Sequence, residues 1–195
     1  MKKAKYLFKA TIFLALLIVL VSCNPLENDT LSNSMLIIMN LTGQDIDGNT
    51  ANFLQSDVIT SANTVTADTA TVTFKAQLLN PDPFNGATQY NDIFVTHYVV
   101  TYFRSDGKNT EGVDIPYSFE GYMSSLIEID NITDLSFVLV REVAKLEPPL
   151  INLHEGRGEG VLQLRAKVDF YGHDLSNKAI KSTGYLSIYF ANYAD

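Results

Sequence analysis

The sequence predicts an all-β fold, an antiparallel β-sandwich of about seven to nine strands, and three observations predict it. From Ser34 onward apolar residues recur with a period of two rather than 3.6, the spacing of a strand with one face in a core. Turn residues punctuate these runs at short intervals. No stretch after residue 33 shows a convincing helical repeat, so there is nothing to cover a sheet except another sheet.

Residues 35–41 form the first candidate strand. Residues 69–79 are the clearest: Ala70, Val72, Phe74, Ala76 and Leu78 alternate with Thr71, Thr73, Lys75 and Gln77. Asn80-Pro81-Asp82-Pro83 opens a longer loop over residues 80–91. Residues 93–104 are apolar on both faces, with Tyr98, Val100 and Tyr102 against Val95, Val99 and Phe103, as in a central, well-covered strand. Residues 126–129 and 137–143 supply two more candidates. Residues 140–146 (VREVAKL) allow a helical turn that Pro148-Pro149 stops. In residues 161–171, Leu162, Leu164, Ala166, Val168 and Phe170 point inward while Gln163, Arg165, Lys167, Asp169 and Tyr171 point outward. In the last strand, residues 180–190, Leu186, Ile188 and Phe190 point inward, and Tyr185, Ser187, Tyr189 and Tyr193 outward. Turns at Asp47-Gly48-Asn49, Ser105-Asp106-Gly107-Lys108, Asp130-Asn131 and Gly172-His173-Asp174 separate these runs.

The last two strands predict a hairpin around residues 172–178. Both inward sets are even-numbered, so opposed residues have an even sum, and a sum near 350 leaves a plausible loop. That register opposes Phe170 to Ile180, Leu164 to Leu186, Asp169 to Lys181 and Arg165 to Tyr185. It engages Tyr185 within its own sheet and leaves Tyr189 and Tyr193 for a partner.

The N-terminus is of another kind. Lys2, Lys3, Lys5 and Lys9 precede an apolar stretch from residue 10 to 21, broken only by Thr11. About 12 residues suit the core of an export signal and fall short of the ~20 needed to span a bilayer. The stretch ends in Leu20-Val21-Ser22-Cys23, which resembles the lipobox of bacterial lipoproteins. The resemblance implies that residues 1–22 are a cleaved signal peptide, with Leu20, Val21 and Ser22 read by the signal peptidase. It implies that Cys23 becomes the first mature residue, carrying a thioether-linked diacylglycerol and an acyl chain such as palmitate. Cys23 is the only cysteine, so it has no internal disulfide partner, and lipidation accounts for an exported lone thiol. Two or three acyl chains anchor stably where one does not. Asn24 in place of Asp points to the outer membrane in a two-membrane cell. Residues 23–33 are then the lipidated cysteine and a short acidic tether, its ten residues after Cys23 reaching at most ~35 Å. Residues 34–195 are a single domain.

One segment of that domain, Asp169-Phe170-Tyr171-Gly172-His173-Asp174-Leu175-Ser176-Asn177, resembles the corner between the last two strands of immunoglobulin-like domains. The remaining chain has the strand count but lacks the Cys…Trp…Cys core signature, having no Trp. The likeness implies a fold and carries no catalytic or binding residue with it.

Charge narrows the function classes. The chain has 14 Lys+Arg and 22 Asp+Glu, a net charge of −8. Without the four signal lysines ten cations face the same 22 carboxylates, a net charge of −12. Such a surface does not bind nucleic acid, nor does it lie on anionic lipid, so the lipid must hold it to the membrane. No nucleophile elbow, zinc-protease helix, phosphate loop or dinucleotide fingerprint is present, and no enzyme is expected. His97 reads as a sheet-face residue, and His154 and His173 as exposed loop residues. Asp45, Asp47 and Asn49 around Gly48 are weak calcium candidates, since the Gly and a distal Glu are not where an EF-hand has them, and an Asx turn is the plainer reading. Asp82, Asp92, Glu155 and Asp174 are further acidic loop residues. Tyr185, Tyr189 and Tyr193 form the candidate binding face. The expectation is a non-catalytic envelope lipoprotein, acting as a structural or protein-interaction module with an envelope protein partner and no cofactor beyond its lipid. The alternative is a glycan or small-ligand module using the tyrosines or an acidic loop end, with calcium as an accessory.

Overall fold

In a computed structural model that describes residues 32–60, 62–81, 86–154 and 160–193, the described residues form nine strands, two short α-helices and a 3-10 turn at Gln89–Asn91. The lipobox-like residues 20–23, the expected signal segment and most of the expected tether lie outside the described residues, as do Asp82 and Glu155. The strands are β1 (Ser34–Gln44), β2 (Thr50–Ala51), β3 (Phe53–Asp57), β4 (Asp68–Leu78), β5 (Ile93–Phe103), β6 (Phe119–Ile127), β7 (Ile132–Val140), β8 (Leu162–Asp174) and β9 (Ala179–Ala191). Between β7 and β8 run α1 (Glu142–Lys145) and α2 (Leu150–His154). Among the described residues no helix is long and apolar enough to cross a membrane.

Two sheets form, a four-stranded one in the order β2-β1-β4-β7 and a five-stranded one in the order β3-β9-β8-β5-β6. All pairings are antiparallel except β3 against β9. The sheets share one core from Ser32 onward, and the alternation in β4 and β8 builds it. Phe170 of β8 meets Phe74 of β4 edge-on at 4.9 Å and Phe137 of β7 at 5.3 Å. Tyr102 of β5 crosses between the sheets and donates from its hydroxyl to the Leu139 carbonyl at 2.6 Å. Burial pushes that phenol far above its ordinary pKa, so it stays a donor.

Three features depart from the sequence reading. The strand over residues 93–104 is apolar on both faces because its parity changes midway. Ile93 and Val95 point inward, then Tyr98, Val100 and Tyr102 do, and the register shifts between Val95 and His97 against both neighbours. Thr96 is the extra residue of a β-bulge against β8, while against β6 the extra residue lies on β6, and odd and even positions of β5 thereby serve the same core.

Second, β6 begins at Phe119, well before the expected residues 126–129. Gly121 and the Ser124-Ser125 pair are poor strand formers, which hid the element. Gly121 sits there because the Tyr98 ring lies over it, so closely that an added Cβ would come within 2.3 Å of the ring. The short strands β2 and β3 were not expected at all, nor was α2, while α1 occupies the expected helical turn.

Third, the β8–β9 hairpin pairs with a residue sum of 352, two away from the expected register. Phe170 faces Ser182, Leu164 faces Ile188, Asp169 faces Thr183 and Arg165 faces Ser187. The strands run on to the His173–Ala179 pair, and the turn closes in only four residues. Asp174 explains this closure. Its amide donates to the Lys178 carbonyl at 3.0 Å, and its Oδ1 accepts from the amides of Ser176 and Lys178, both at 2.9 Å. A two-residue slip keeps every side chain on its face. The expected contacts survive as diagonals: the Arg165 guanidinium lies 4.9 Å from the Tyr185 ring centre, and Lys181 lies 3.1 Å from Asp169.

Candidate functional site

The outer face of the five-stranded sheet carries a continuous row of side chains across four strands. It runs from Lys181 on β9 through Tyr171 on β8 and His97 on β5 to Tyr122 on β6. Each is the cross-strand partner of the next. The Lys181 ammonium sits 5.1 Å from the Tyr171 ring centre. Tyr171 and His97 stack at 4.8 Å with only 5° between their planes, and Tyr122 follows at 6.3 Å. Tyr122 ends the row, 81% exposed.

The bulge at Thr96 builds this row. It turns His97 outward beside Tyr171, while Tyr98 goes to the core. The Thr96 hydroxyl donates to the Tyr171 carbonyl at 3.3 Å and sits 2.9 Å from His97 Nδ1. Gly172 supplies the space. A Cβ there would meet the Phe94 carbonyl oxygen at 2.3 Å, so β8 and β5 approach as they do only because the residue is glycine. One row away, His173 donates from Nδ1 to the Asp174 carbonyl at 2.9 Å and lies near Phe94.

Beside the row lies a cluster of charge. Asp169 points outward yet keeps only 9% of its side chain exposed. Lys167 donates to it at 2.8 Å, Lys181 at 3.1 Å and the Thr183 hydroxyl at 2.6 Å. Burial pushes this carboxyl up, but the bonds from Lys167, Thr183 and Lys181 together outweigh it, and its pKa falls below the ordinary value. A carboxyl with a depressed native pKa adds stability above its unfolded value of about 4, and that stability is lost as pH falls through the lower native value. Asp169→Asn is therefore expected to cost about 1–2 kcal/mol at neutral pH, with the gap from the parent closing below about pH 4. Urea midpoints across that range measure it, and a gap that stays constant down to pH 3 contradicts it.

The tyrosines picked out by sequence divide. Tyr185 is 48% exposed, with Arg165 over its ring and Phe103 edge-on at 6.2 Å. Tyr189 and Tyr193 are not the free pair expected. β3 adds in parallel beside β9, Phe53 packs edge-on against Tyr189 at 5.8 Å, and the Tyr193 hydroxyl donates to the Tyr189 carbonyl at 3.0 Å. An unrecognised strand beside β9 therefore packs against the strip and leaves Tyr189 and Tyr193 half-buried.

Among the acidic loop residues, Asp45 folds back on Asn49. Its Oδ1 accepts from the Asn49 amide at 2.7 Å and its Oδ2 from the Asn49 side chain at 3.0 Å. Asp92 accepts from the Ile129 amide at 3.0 Å, and Asp174 is the hairpin cap described above. Among the described residues no group of three His, Cys, Asp or Glu side chains is arranged to hold a metal ion.

A second feature was invisible to sequence reasoning. Lys145, at the end of α1, is 1% exposed. Its ammonium donates to the Asp57 carbonyl at 2.7 Å and to Asp68 Oδ1 at 3.0 Å, and Ser56 donates to Asp68 Oδ2 at 2.6 Å. Burial, the largest influence, raises the Asp68 pKa against the pull of Lys145 and Ser56. The group borders a cavity of about 380 Å³ between Gln44, Asp45, Gln55, Asp57, Thr66 and Asp68. A serine, a lysine and an aspartate beside a cavity invite a catalytic reading. The geometry argues otherwise: Ser56 is fully buried and spends its proton on a carboxylate already ion-paired, which does not activate it as a nucleophile. Comparison with protein-family models, curated proteins and solved structures returns no match.

Proposed function

We propose that this protein is a membrane-anchored envelope lipoprotein whose domain is a non-catalytic structural or protein-interaction module. The outer face of the five-stranded sheet is its working surface. The observation that carries this reading is the row Lys181, Tyr171, His97 and Tyr122. Building it takes a bulge that turns His97 outward beside Tyr171 and a glycine at 172 that lets β8 approach β5. The rings brace one another, so little rotamer freedom remains to be lost when a partner docks. Tyrosine and arginine are also the side chains that most often dominate protein interfaces.

The anchor half of the proposal rests on Leu20-Val21-Ser22-Cys23, with lipid on Cys23 and, in a two-membrane cell, residence at the outer membrane. The finer fold assignment is an immunoglobulin-like sandwich. What supports it is the strand order: β1, β4 and β7 fill one sheet as strands A, B and E do, and β5, β8 and β9 fill the other as C, F and G do.

A photo-crosslinking residue at position 122, with a control at exposed Ser136 on the other sheet, tests the working surface in intact cells. Crosslinks to a discrete protein from 122 and none from 136 are expected; equal or no crosslinking from both overturns it. The anchor is tested by Cys23→Ser, which should leave an unprocessed precursor without palmitate label. A parent protein that takes no label and stays soluble without detergent refutes lipidation.

A further inference from the structure

We infer that Arg165, seated on Tyr185 with Lys167 beside it, receives a carboxylate of an acidic polypeptide partner. The inference rests on the proposed interaction face and names the chemistry of what docks there. In a chain of net charge −8, three cations gather on this one face: Arg165, Lys167 and Lys181. Among the described residues of β5, β6 and β8 two carboxylates share it, Asp169 and Glu120. Asp169 takes bonds from Lys167, Lys181 and Thr183, and Glu120 at the β6 edge accepts the Tyr122 phenol.

Arg165 is different. It is exposed, its cross-strand neighbours are Phe103 and Ser187, and among the described residues its guanidinium contacts the Tyr185 ring and no carboxylate. Phe103 braces Tyr185 from the side. The guanidinium is thus held on an aromatic platform with its five N–H donors unspent, the fork that a carboxylate matches with two parallel bonds. Lys167, two residues along the same face, is paired with Asp169, and with Lys181 on the same carboxylate this trio keeps one net positive charge.

A glycan is the competing occupant, and the ring geometry disfavours it. Sugars stack on the faces of aromatic rings. Here Lys181 and His97 cover the two faces of Tyr171, and Arg165 covers one face of Tyr185. What the surface offers is charged donors on a flat sheet, suited to the side-chain carboxylates of a protein.

The test titrates the intact protein with an oligoglutamate peptide and, separately, an oligogalacturonate of equal charge, at low and high salt, following amide shifts by NMR. Oligoglutamate is expected to bind, more weakly as salt rises, with shifts centred on Arg165 and Tyr185. Arg165→Gln should weaken it about ten-fold or more, and Arg165→Lys by an intermediate factor, because charge remains but the fork is lost. Lys108→Gln, in an exposed turn, should change nothing. Absence of oligoglutamate binding overturns the inference, as does equal or tighter binding of oligogalacturonate, or equal weakening by Lys108→Gln. If these fail while position 122 still crosslinks to a protein in cells, only the partner's acidity is refuted and the interaction face stands.

Discussion

Lys145→Ala is expected to lower stability by about 3–5 kcal/mol, the cost of leaving a buried charge without its partner. The variant strands Asp68, whose carboxylate keeps only the Ser56 hydroxyl, and removes the donor to the Asp57 carbonyl. The pH dependence has a defined sign. Asp68 has a native pKa raised above its unfolded value, so the folded state holds the proton more tightly. Ionising it costs stability, and the cost grows as pH rises from the unfolded value near 4 through the native one. Without Lys145 the native value rises further, so the variant's deficit should be smallest in acid and largest at neutral pH. This trend opposes that of stability held by Asp169, whose native pKa is depressed. Replacing the pair together, Lys145→Met with Asp68→Leu, should recover most of the loss, since an apolar pair needs no desolvation. Urea unfolding of the single and double variants decides it. A Lys145→Ala loss under about 1 kcal/mol, or a double variant no better than the single, shows that the pair does not hold α1 to β3 and β4.

Gly172→Ala is expected to cost about 2–3 kcal/mol and to dismantle the His97–Tyr171 stack. The added Cβ lands 2.3 Å from the Phe94 carbonyl oxygen and 3.0 Å from Val95 Cα. These are backbone atoms and cannot rotate aside, so β8 and β5 must separate where the bulge sits. Gly184→Ala is the matched control. Its Cβ meets only side-chain methyls of Ile38 and Leu41 at 3.1 Å, which can yield by a few tenths of an ångström. Replacing a strand glycine also returns about 0.5–1 kcal/mol of backbone entropy, so this variant should lie within about 1 kcal/mol of the parent. Urea midpoints give the energies, and the His97 ring shifts report the stack. Equal energies for the two variants, or unchanged His97 shifts in Gly172→Ala, contradict a bulge-built row.

The strands that read clearly did so because a half-buried strand writes its environment into every second residue. Ala70 to Leu78 and Leu162 to Phe170 could not be moved by one position without putting a core in water. Face and class were therefore local information for these strands. The partner register was not, because a slip of two changes no residue's burial. It was settled by Asp174 capping a four-residue turn, where Gly172 had seemed to begin the loop. β3 escaped for a related reason: five residues with a buried serine carry little period, and its place beside β9 is visible only when the sheet is assembled. That one strand leaves Tyr189 and Tyr193 half-buried against Phe53 and each other.

The candidate site shows the same division. His97 and Tyr171 could each be read as facing outward, but their stacking depends on an extra residue at Thr96 that no periodicity announces. Arg165 over Tyr185 was foreseeable from alternation, since diagonal and direct neighbours both lie within reach of a long side chain. Lys145, Asp68 and Ser56 were not, being separated by up to 89 positions and drawn together only by folding. By itself the sequence determined the β class, the inward faces, the charge and the lipobox likeness, because each is carried by neighbouring residues. Only the tertiary structure decided the register, the packing of Tyr189 and Tyr193, the buried ion pair and the row across the sheet, because each depends on which strand lies beside which.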